Sequence, residues 1–85
     1  MERVFVDRDR RFSLDIDGES GRTFVSIPVR NQLVEYEESY EIDRDRFDAC
    51  LIDPTLAYDL VDRARRRELD HLLLRRPGSE RGLPD

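Results

Sequence analysis

The sequence contains no lysine and no tryptophan, and only one cysteine and one histidine. A single cysteine excludes a disulfide within the chain, and Cys50 with His71 supplies too few ligands for a structural zinc site. No apolar run approaches the roughly 18 residues of a membrane-spanning helix, and the charged N-terminus lacks the apolar stretch of a signal peptide. We therefore expect a cytoplasmic protein in a reducing compartment, without membrane contact.

Apolar residues are also scarce, at 38% of the 85 residues, while charged residues reach 41% against a usual value of about 25%. A chain of this length supports one small core. All 15 positive charges are arginine and the formal net charge is −5, which disfavours non-specific binding to nucleic acid or anionic membranes. The proline- and glycine-containing end predicts a single domain over 1–76 and a flexible tail over 77–85.

Alternating apolar residues predict the strands of an antiparallel sheet. Phe12, Leu14 and Ile16 share one face of a first strand, which places Asp15 and Asp17 on the solvent side. A second strand over 22–30 and a third over 33–42 show the same alternation. Val4 and Val6 indicate a further strand over 3–7 or a long, bent first strand, and we favour the further strand.

The loop lengths predict a register for this sheet. With a loop over 18–21 and a two-residue loop at Asn31-Gln32, Thr23 lies between Ile16 and Tyr40 across the three strands. Pro28 falls in the central strand, where a proline removes a ladder donor, so we expect a bulge or an end of pairing near it.

The segment Asp15-Ile16-Asp17-Gly18-Glu19-Ser20 resembles the start of a calcium loop. An EF-type loop needs oxygen ligands at positions 1, 3 and 5, glycine at position 6 and an acid at position 12. Here Gly18 comes too early and the twelfth position from Asp15 is Ser26. We interpret the segment as a hairpin turn.

The second half of the sequence predicts two helices. Asp43 is a suitable N-cap for a short helix over 44–52, and Asp53 with Pro54 begins a second one that continues to about residue 75. The predicted fold is a small α+β domain: a three- or four-stranded antiparallel meander, covered on one face by a short helix and a long C-terminal helix, in β-β-β-α-α order.

The end of the long predicted helix is apolar on two sides. Leu60 and Val61 lie on the face expected to contact the sheet, whereas Leu69 and Leu73 point nearly the opposite way. This segment either bends and packs elsewhere on its own chain, or buries its second face against another chain. In the second case Leu69, Leu72 and Leu73 form an interaction surface, to which the outward Glu35, Glu37 and Glu41 add an acidic patch.

Other candidate sites each have a plain structural alternative. Glu68 and His71 have the spacing of a di-iron ligand pair, but no second pair is available, and Cys50 lies on a predicted buried face. Glu38 falls on the inner face with Tyr36 and Tyr40, either in a pocket or in an ion pair with Arg10 or Arg65. The three residues suited to phosphate contacts are Arg63, Arg66 and Arg67.

With no strong catalytic constellation, we expect no cofactor, no metal and, on balance, no enzymatic activity. The leading hypothesis is a non-enzymatic interaction or regulatory module that self-associates through its C-terminal helix or binds another protein. The alternatives are a nucleic-acid-associated regulator that uses the arginine-rich segment 63–76, and a small ligand-binding domain or enzyme around Glu38.

Overall fold

The computed structural model describes residues 1–31, 34–75 and 82–84, which form an α+β structure. The strands are β1 (Glu2–Asp7), β2 (Phe12–Ile16), β3 (Thr23–Arg30), β4 (Glu35–Ile42) and β5 (Leu83–Pro84). The helices are α1 (Arg44–Ile52) and α2 (Tyr58–Arg65), with short 3₁₀ helices at Pro54–Ala57 and Asp70–Leu72. The predicted α+β class is confirmed.

The sheet is antiparallel with the order β1-β2-β3-β4, and β5 pairs with β3. The strand expected over 3–7 is present as β1, with a bulge between Arg3 and Phe5. Ile16 faces Thr23 and Leu14 faces Val25, as the alternating pattern predicts. The hairpins from β1 to β4 therefore follow the chain order, as in a meander.

The predicted register between β3 and β4 is wrong by two residues. Thr23 faces Ile42 rather than Tyr40, because Arg30 pairs with Glu35 and the connecting loop holds four residues, 31–34, instead of two. A shift of two residues leaves every side chain on its predicted face. The predicted apolar face is therefore correct, although the predicted register is not.

Pro28 marks a place where the sheet divides. Pairing between β2 and β3 ends at Ser13 and Ser26, and β5 takes the same side of β3 at Val29 and Arg30. Proline has no backbone N–H to donate to β2, whereas the ladder between β3 and β4 continues through Pro28, which faces Glu37. The predicted end of pairing near Pro28 agrees with this arrangement.

The helices begin where the sequence predicts. The side chain of Asp43 accepts a hydrogen bond from the N–H of Arg46 at 2.8 Å, and that of Asp53 accepts one from the N–H of Thr55 at 3.1 Å. Both helices pack on one face of the sheet. Together with the 3₁₀ helix between them, they contribute to the core Phe47, Cys50, Ala57, Leu60, Val61 and Ala64.

The long C-terminal helix predicted over 54–75 is wrong, because α2 ends at Arg65 in a Schellman motif. The N–H of Arg67 donates to the carbonyl oxygen of Ala64 at 3.0 Å, and the N–H of Glu68 donates to that of Arg63 at 2.9 Å. Arg67 lies in the left-handed region with φ of 62°. This position usually carries glycine, so the sequence contains no visible stop signal there.

The turn after α2 directs the following leucines onto the protein's own core. Leu69 is 2% exposed, while Leu72 and Leu73 are half-buried against the same core. Leu73 forms an isolated bridge with Tyr40, and the N–H of Leu74 donates to the carbonyl oxygen of Ser39 at 2.8 Å. Of the two alternatives for this segment, the structure has the one in which it packs on its own chain.

Residues 82–84 of the predicted tail lie against the sheet. The N–H of Gly82 donates to the hydroxyl of Tyr36 at 2.8 Å, and its carbonyl oxygen accepts a hydrogen bond from Arg67 at 2.8 Å. A Cβ at residue 82 would lie 2.4 Å from the carbonyl carbon of Arg30, so only glycine allows this approach. The rest of the predicted tail, 77–81 and 85, lies outside the described residues.

Candidate functional site

The face of the sheet opposite the helices carries a polar cluster. Ser13, Ser26 and Ser39 lie side by side on β2, β3 and β4. The hydroxyl of Ser26 donates to the carboxylate of Asp15 at 2.6 Å and lies 2.7 Å from the hydroxyl of Ser39. Asp15 lies on the face opposite the apolar core, as the alternation predicts, but it is only 4% exposed, so the expected contact with solvent is wrong.

Arg3 connects this cluster to the protein surface. Its Nε lies 3.2 Å from the carboxylate of Asp15, and its Nη2 forms an ion pair with Glu37. The hydrogen bond to Glu37 raises the pKa of Arg3 above its ordinary value. A buried carboxylate requires such partners, and Asp15 has them in Arg3, Ser13 and Ser26. The cluster is satisfied internally and serves the structure of the sheet.

A cleft of about 320 Å³ opens on the same face, where β2 and β3 separate before Pro28. Its apolar lining comes from Val6, Phe12 and Pro28. Its charged lining comes from Arg3, Arg8, Arg11, Asp7 and Glu37. The formal charge of these five side chains is three positive minus two negative, or +1, whereas the whole chain carries −5.

The turn between β1 and β2, which forms one wall of the cleft, is held from several sides. The carboxylate of Asp7 accepts a hydrogen bond from the N–H of Arg10 at 2.9 Å. The guanidinium of Arg10 lies 4.1 Å from the centre of the Tyr58 ring, and Arg65 donates to the carbonyl oxygens of Arg10 and Arg11. Arg11 has φ of 56°, a conformation that these contacts hold in place.

The outer edge of β1 differs from the other edge of the sheet. Residues 73 and 74 bond to β4, whereas no described residue pairs with β1 on the side away from β2. Val4 and Val6 are 46% and 48% exposed. Glu2 and Arg8, at the two ends, form no ion pair with a described residue. Sequence reasoning identified this strand but not its position at the edge.

The acidic residues predicted as an interaction patch lie beside arginines of the same chain. Glu41 forms a two-bond ion pair with Arg22 at 2.6 and 3.1 Å, which lowers the pKa of its carboxyl group. Glu35 lies 3.5 Å from Arg30, and Glu37 pairs with Arg3. The patch therefore presents nearly neutral pairs to a partner. The leucines predicted beside it, Leu69, Leu72 and Leu73, contact the core instead.

The predicted pocket around Glu38 is filled by its own side chains. The hydroxyl of Tyr40, which is fully buried, donates to the carboxylate of Glu38 at 2.9 Å, and the hydroxyl of Tyr36 receives the N–H of Gly82. Arg10 and Arg65 were the arginines considered as partners of Glu38, and neither forms a described ion pair with it. Arg10 stacks on Tyr58, and Arg65 donates to the turn after β1. These contacts tie β4 to the core.

The arginines considered for phosphate contacts have partners on the same chain. Arg66 donates to Glu68 at 2.7 Å, Arg63 lies 3.7 Å from the same carboxylate, and Arg67 binds the carbonyl oxygen of Gly82. The Arg66 contact is the main reason that the pKa of Glu68 is lowered. Arg76, within the predicted basic segment, lies outside the described residues.

Chemically reactive side chains are kept apart or buried. Cys50 lies in the core, where burial raises the pKa of its thiol, and His71 is exposed. Among residues 1–31, 34–75 and 82–84, no group of three or more His, Cys, Asp or Glu side chains is arranged to hold a metal ion. Asp17 in the former calcium candidate accepts hydrogen bonds from Ser20 and from the N–H of Glu19, as in a turn.

Comparison with known proteins gives no relative. No family model matches the chain, and neither a curated protein nor a solved structure is detectably similar to it. In the described part of the chain, no helix has the length and apolar character needed to cross a membrane.

Proposed function

We propose that this protein is a non-enzymatic interaction module that self-associates by pairing β1 of one copy with β1 of a second copy. The observation that carries the proposal is the exposed, unpaired edge of β1 in the described structure. An unpaired strand edge offers a row of backbone donors and acceptors to another strand. Antiparallel pairing of two such edges would join two sheets across a two-fold axis.

The exposed apolar centre of β1 favours a second copy as the partner. Val4 and Val6 are 46% and 48% exposed on this edge, and antiparallel pairing would bring the valines of two copies together. The charges of β1 do not select the partner, because the bulge places Glu2 and Asp7 on the face that carries the helices and Arg3 on the opposite face.

The bulge and the charges of β1 set the extent of pairing. Such features are used by natural proteins to restrict edge-to-edge association. In β1 the bulge falls at Val4, inside the apolar centre of the strand, so regular pairing on either side of it is short. The resulting interface is short, and we expect a weak, concentration-dependent dimer.

The test is the solution mass, measured by light scattering over a concentration series. The unmodified chain should approach the mass of two copies, and Val4→Lys should weaken its dissociation constant about tenfold, because it places a charge in the apolar centre of the paired edge. Ile52→Lys is the matched control, because it makes the same kind of change at an exposed apolar residue of α1. A monomer at every concentration, or equal effects of both substitutions, would contradict the proposal.

The nucleic-acid alternative has weaker support. Its three arginines already contact Glu68 or Gly82, and binding phosphate would require breaking those contacts. Retention of the chain on a heparin column that declines with salt, and that is lost in Arg63→Gln/Arg66→Gln, would support the alternative.

A further inference from the structure

The segment 82–84 takes a place on the sheet that β2 leaves open. β2 pairs with only the first half of β3, and β5 lies on the same side of β3 at Val29 and Arg30. Pro84 faces Val29 and Leu83 faces Arg30 in an antiparallel register. The chain thus supplies its own strand at a position where a sheet edge can accept an extended peptide.

Two side chains outside this ladder bind the backbone of Gly82. The hydroxyl of Tyr36 accepts a hydrogen bond from its N–H, and Arg67 donates to its carbonyl oxygen, both at 2.8 Å. Arg67 has φ of 62°, and strained residues of this kind cluster at ligand clamps and switch regions. Because both contacts are to backbone groups, they do not require the bound segment to belong to this chain.

The close approach at residue 82 selects glycine. A Cβ there would lie 2.4 Å from the carbonyl carbon and oxygen of Arg30 and 2.8 Å from the backbone nitrogen of Asn31. Leu83 is 71% exposed, so the next side chain is left in solvent, whereas Pro84 is half-buried. The position therefore fits an extended Gly-X-Pro segment, in which X is any residue.

β5 is held by few contacts and can be displaced. It forms two residue pairs with β3, and its exposed leucine buries little apolar surface. Segments with few buried contacts open at a low cost in free energy. Because β5 belongs to the same chain, an external peptide must exceed its effective concentration, which is on the order of millimolar for a short connection.

We propose that this edge of β3, with Tyr36 and Arg67, is a groove that binds an extended Gly-X-Pro segment of another protein. β5 is the internal occupant of the groove, and such a segment displaces it. The groove is separate from the pairing edge of β1, because β2 lies between β1 and β3. The proposal goes beyond self-association and does not rest on it.

The experiment measures binding of a fluorescent peptide, Glu-Arg-Gly-Leu-Pro-Asp, which has the sequence of residues 80–85. Gly82→Ala should bind it at least tenfold more tightly than the unmodified chain, because the altered β5 no longer competes for the groove. Gly18→Ala is the control and should bind as the unmodified chain does. The same peptide with alanine in place of glycine should bind to none of the three proteins.

A second variant tests the contact to the peptide backbone. In the Gly82→Ala background, Tyr36→Phe should weaken binding about fivefold, because the glycine N–H of the peptide loses its acceptor. Tyr58→Phe is the matched control, because it removes a hydroxyl from a ring that contacts Phe12 and Arg10 instead. Peptide binding should also shift the backbone amide signal of Arg30 in NMR spectra.

The unmodified chain gives an independent test if Gly82→Ala loses its fold. At about ten times the effective concentration of β5, the glycine peptide should displace β5 and shift the amides of Arg30 and Gly82, and the alanine peptide should not. Equal binding of the two peptides, or shifts that leave out Arg30, would overturn the proposal.

The groove and the pairing of β1 can fail separately. Val4→Lys should leave peptide binding intact, and Gly82→Ala should leave the solution mass intact. A mass of two copies that falls to one in Gly82→Ala would overturn the groove proposal, because β5 of a second copy would then be the occupant.

Discussion

Ser26 donates a hydrogen bond of 2.6 Å to the carboxylate of Asp15 across β2 and β3, and both side chains lie buried on the face opposite the helices. A hydrogen bond to a buried charged group contributes more than one to an exposed group, because water cannot replace it. The sheet is therefore ordered on both faces, one by apolar packing and the other by this polar cluster.

Removing the Ser26 hydroxyl should destabilise the fold. We expect Ser26→Ala to lower the free energy of unfolding by about 2 kcal/mol, the cost of leaving a buried carboxylate with one donor fewer. Ser20→Ala is the control: it also removes a serine donor to an aspartate, Asp17, but in an exposed turn, and should cost about 0.5 kcal/mol or less. Urea unfolding of the two variants measures the difference, and equal losses would contradict a structural role for the cluster.

The residue that ends α2 gives a second prediction. Arg67 has a positive φ, which is unfavourable for a residue with a Cβ by about 1 kcal/mol. Arg67→Ala and Arg67→Gly both remove the contact to Gly82, but only glycine relieves the backbone. We therefore expect the glycine variant to be more stable than the alanine variant by about 1 kcal/mol in thermal or urea unfolding. The reverse order would show that α2 does not end in this motif.

Gly82 gives a third prediction. In Gly82→Ala the new Cβ would overlap the backbone of Arg30, so β5 must separate from β3. We expect a loss of about 1–2 kcal/mol in stability and faster hydrogen exchange at Arg30, whose N–H lies on the β5 side of β3. Gly18→Ala is the control, because a Cβ there has no neighbour within 4 Å. Unchanged exchange at Arg30 would contradict the pairing of β5.

The Arg22–Glu41 pair predicts a pH effect. Arg22 lowers the pKa of the Glu41 carboxyl group below its usual range. A pKa that is lower in the folded state contributes stability above the unfolded pKa, and this contribution is lost as the pH falls through the folded value. Arg22→Gln should raise the pKa of Glu41 in an NMR titration, whereas Arg44→Gln, whose partner is Asp48, should not. Added salt should reduce the shift, because the pair is exposed.

Local signals predicted part of this fold well. Asp43 and the Asp53-Pro54 pair mark helix starts through contacts within three residues, so the sequence shows them directly. The end of α2 could not be predicted in the same way, because an arginine occupies the glycine-favouring position. Because no stop signal is visible there, the predicted helix continued to about residue 75. That continuation produced the expected interaction surface of Leu69, Leu72 and Leu73.

The candidate site depends on contacts between distant residues. Asp15 alternates with apolar neighbours exactly as a solvent-facing residue does, and its burial follows from Arg3 and Ser26 on the adjacent strands. The cleft lies where pairing between β2 and β3 ends near Pro28, and the sequence indicated that end of pairing. One of its walls is a turn held by Arg65 from α2, a contact that the sequence did not indicate. The register between neighbouring strands is needed to bring Arg3, Asp15 and Ser26 together on one face of the sheet.

The most direct test of self-association through β1 is amide hydrogen exchange, measured at protein concentrations below and above the dissociation constant. Pairing of β1 with β1 should slow exchange in the concentrated sample at the β1 amides that face away from β2, because they gain hydrogen-bond acceptors. The amides of the exposed turn over 18–21 should exchange equally at both concentrations. A dimer in light scattering whose β1 amides exchange as fast as those of the monomer would contradict pairing through β1.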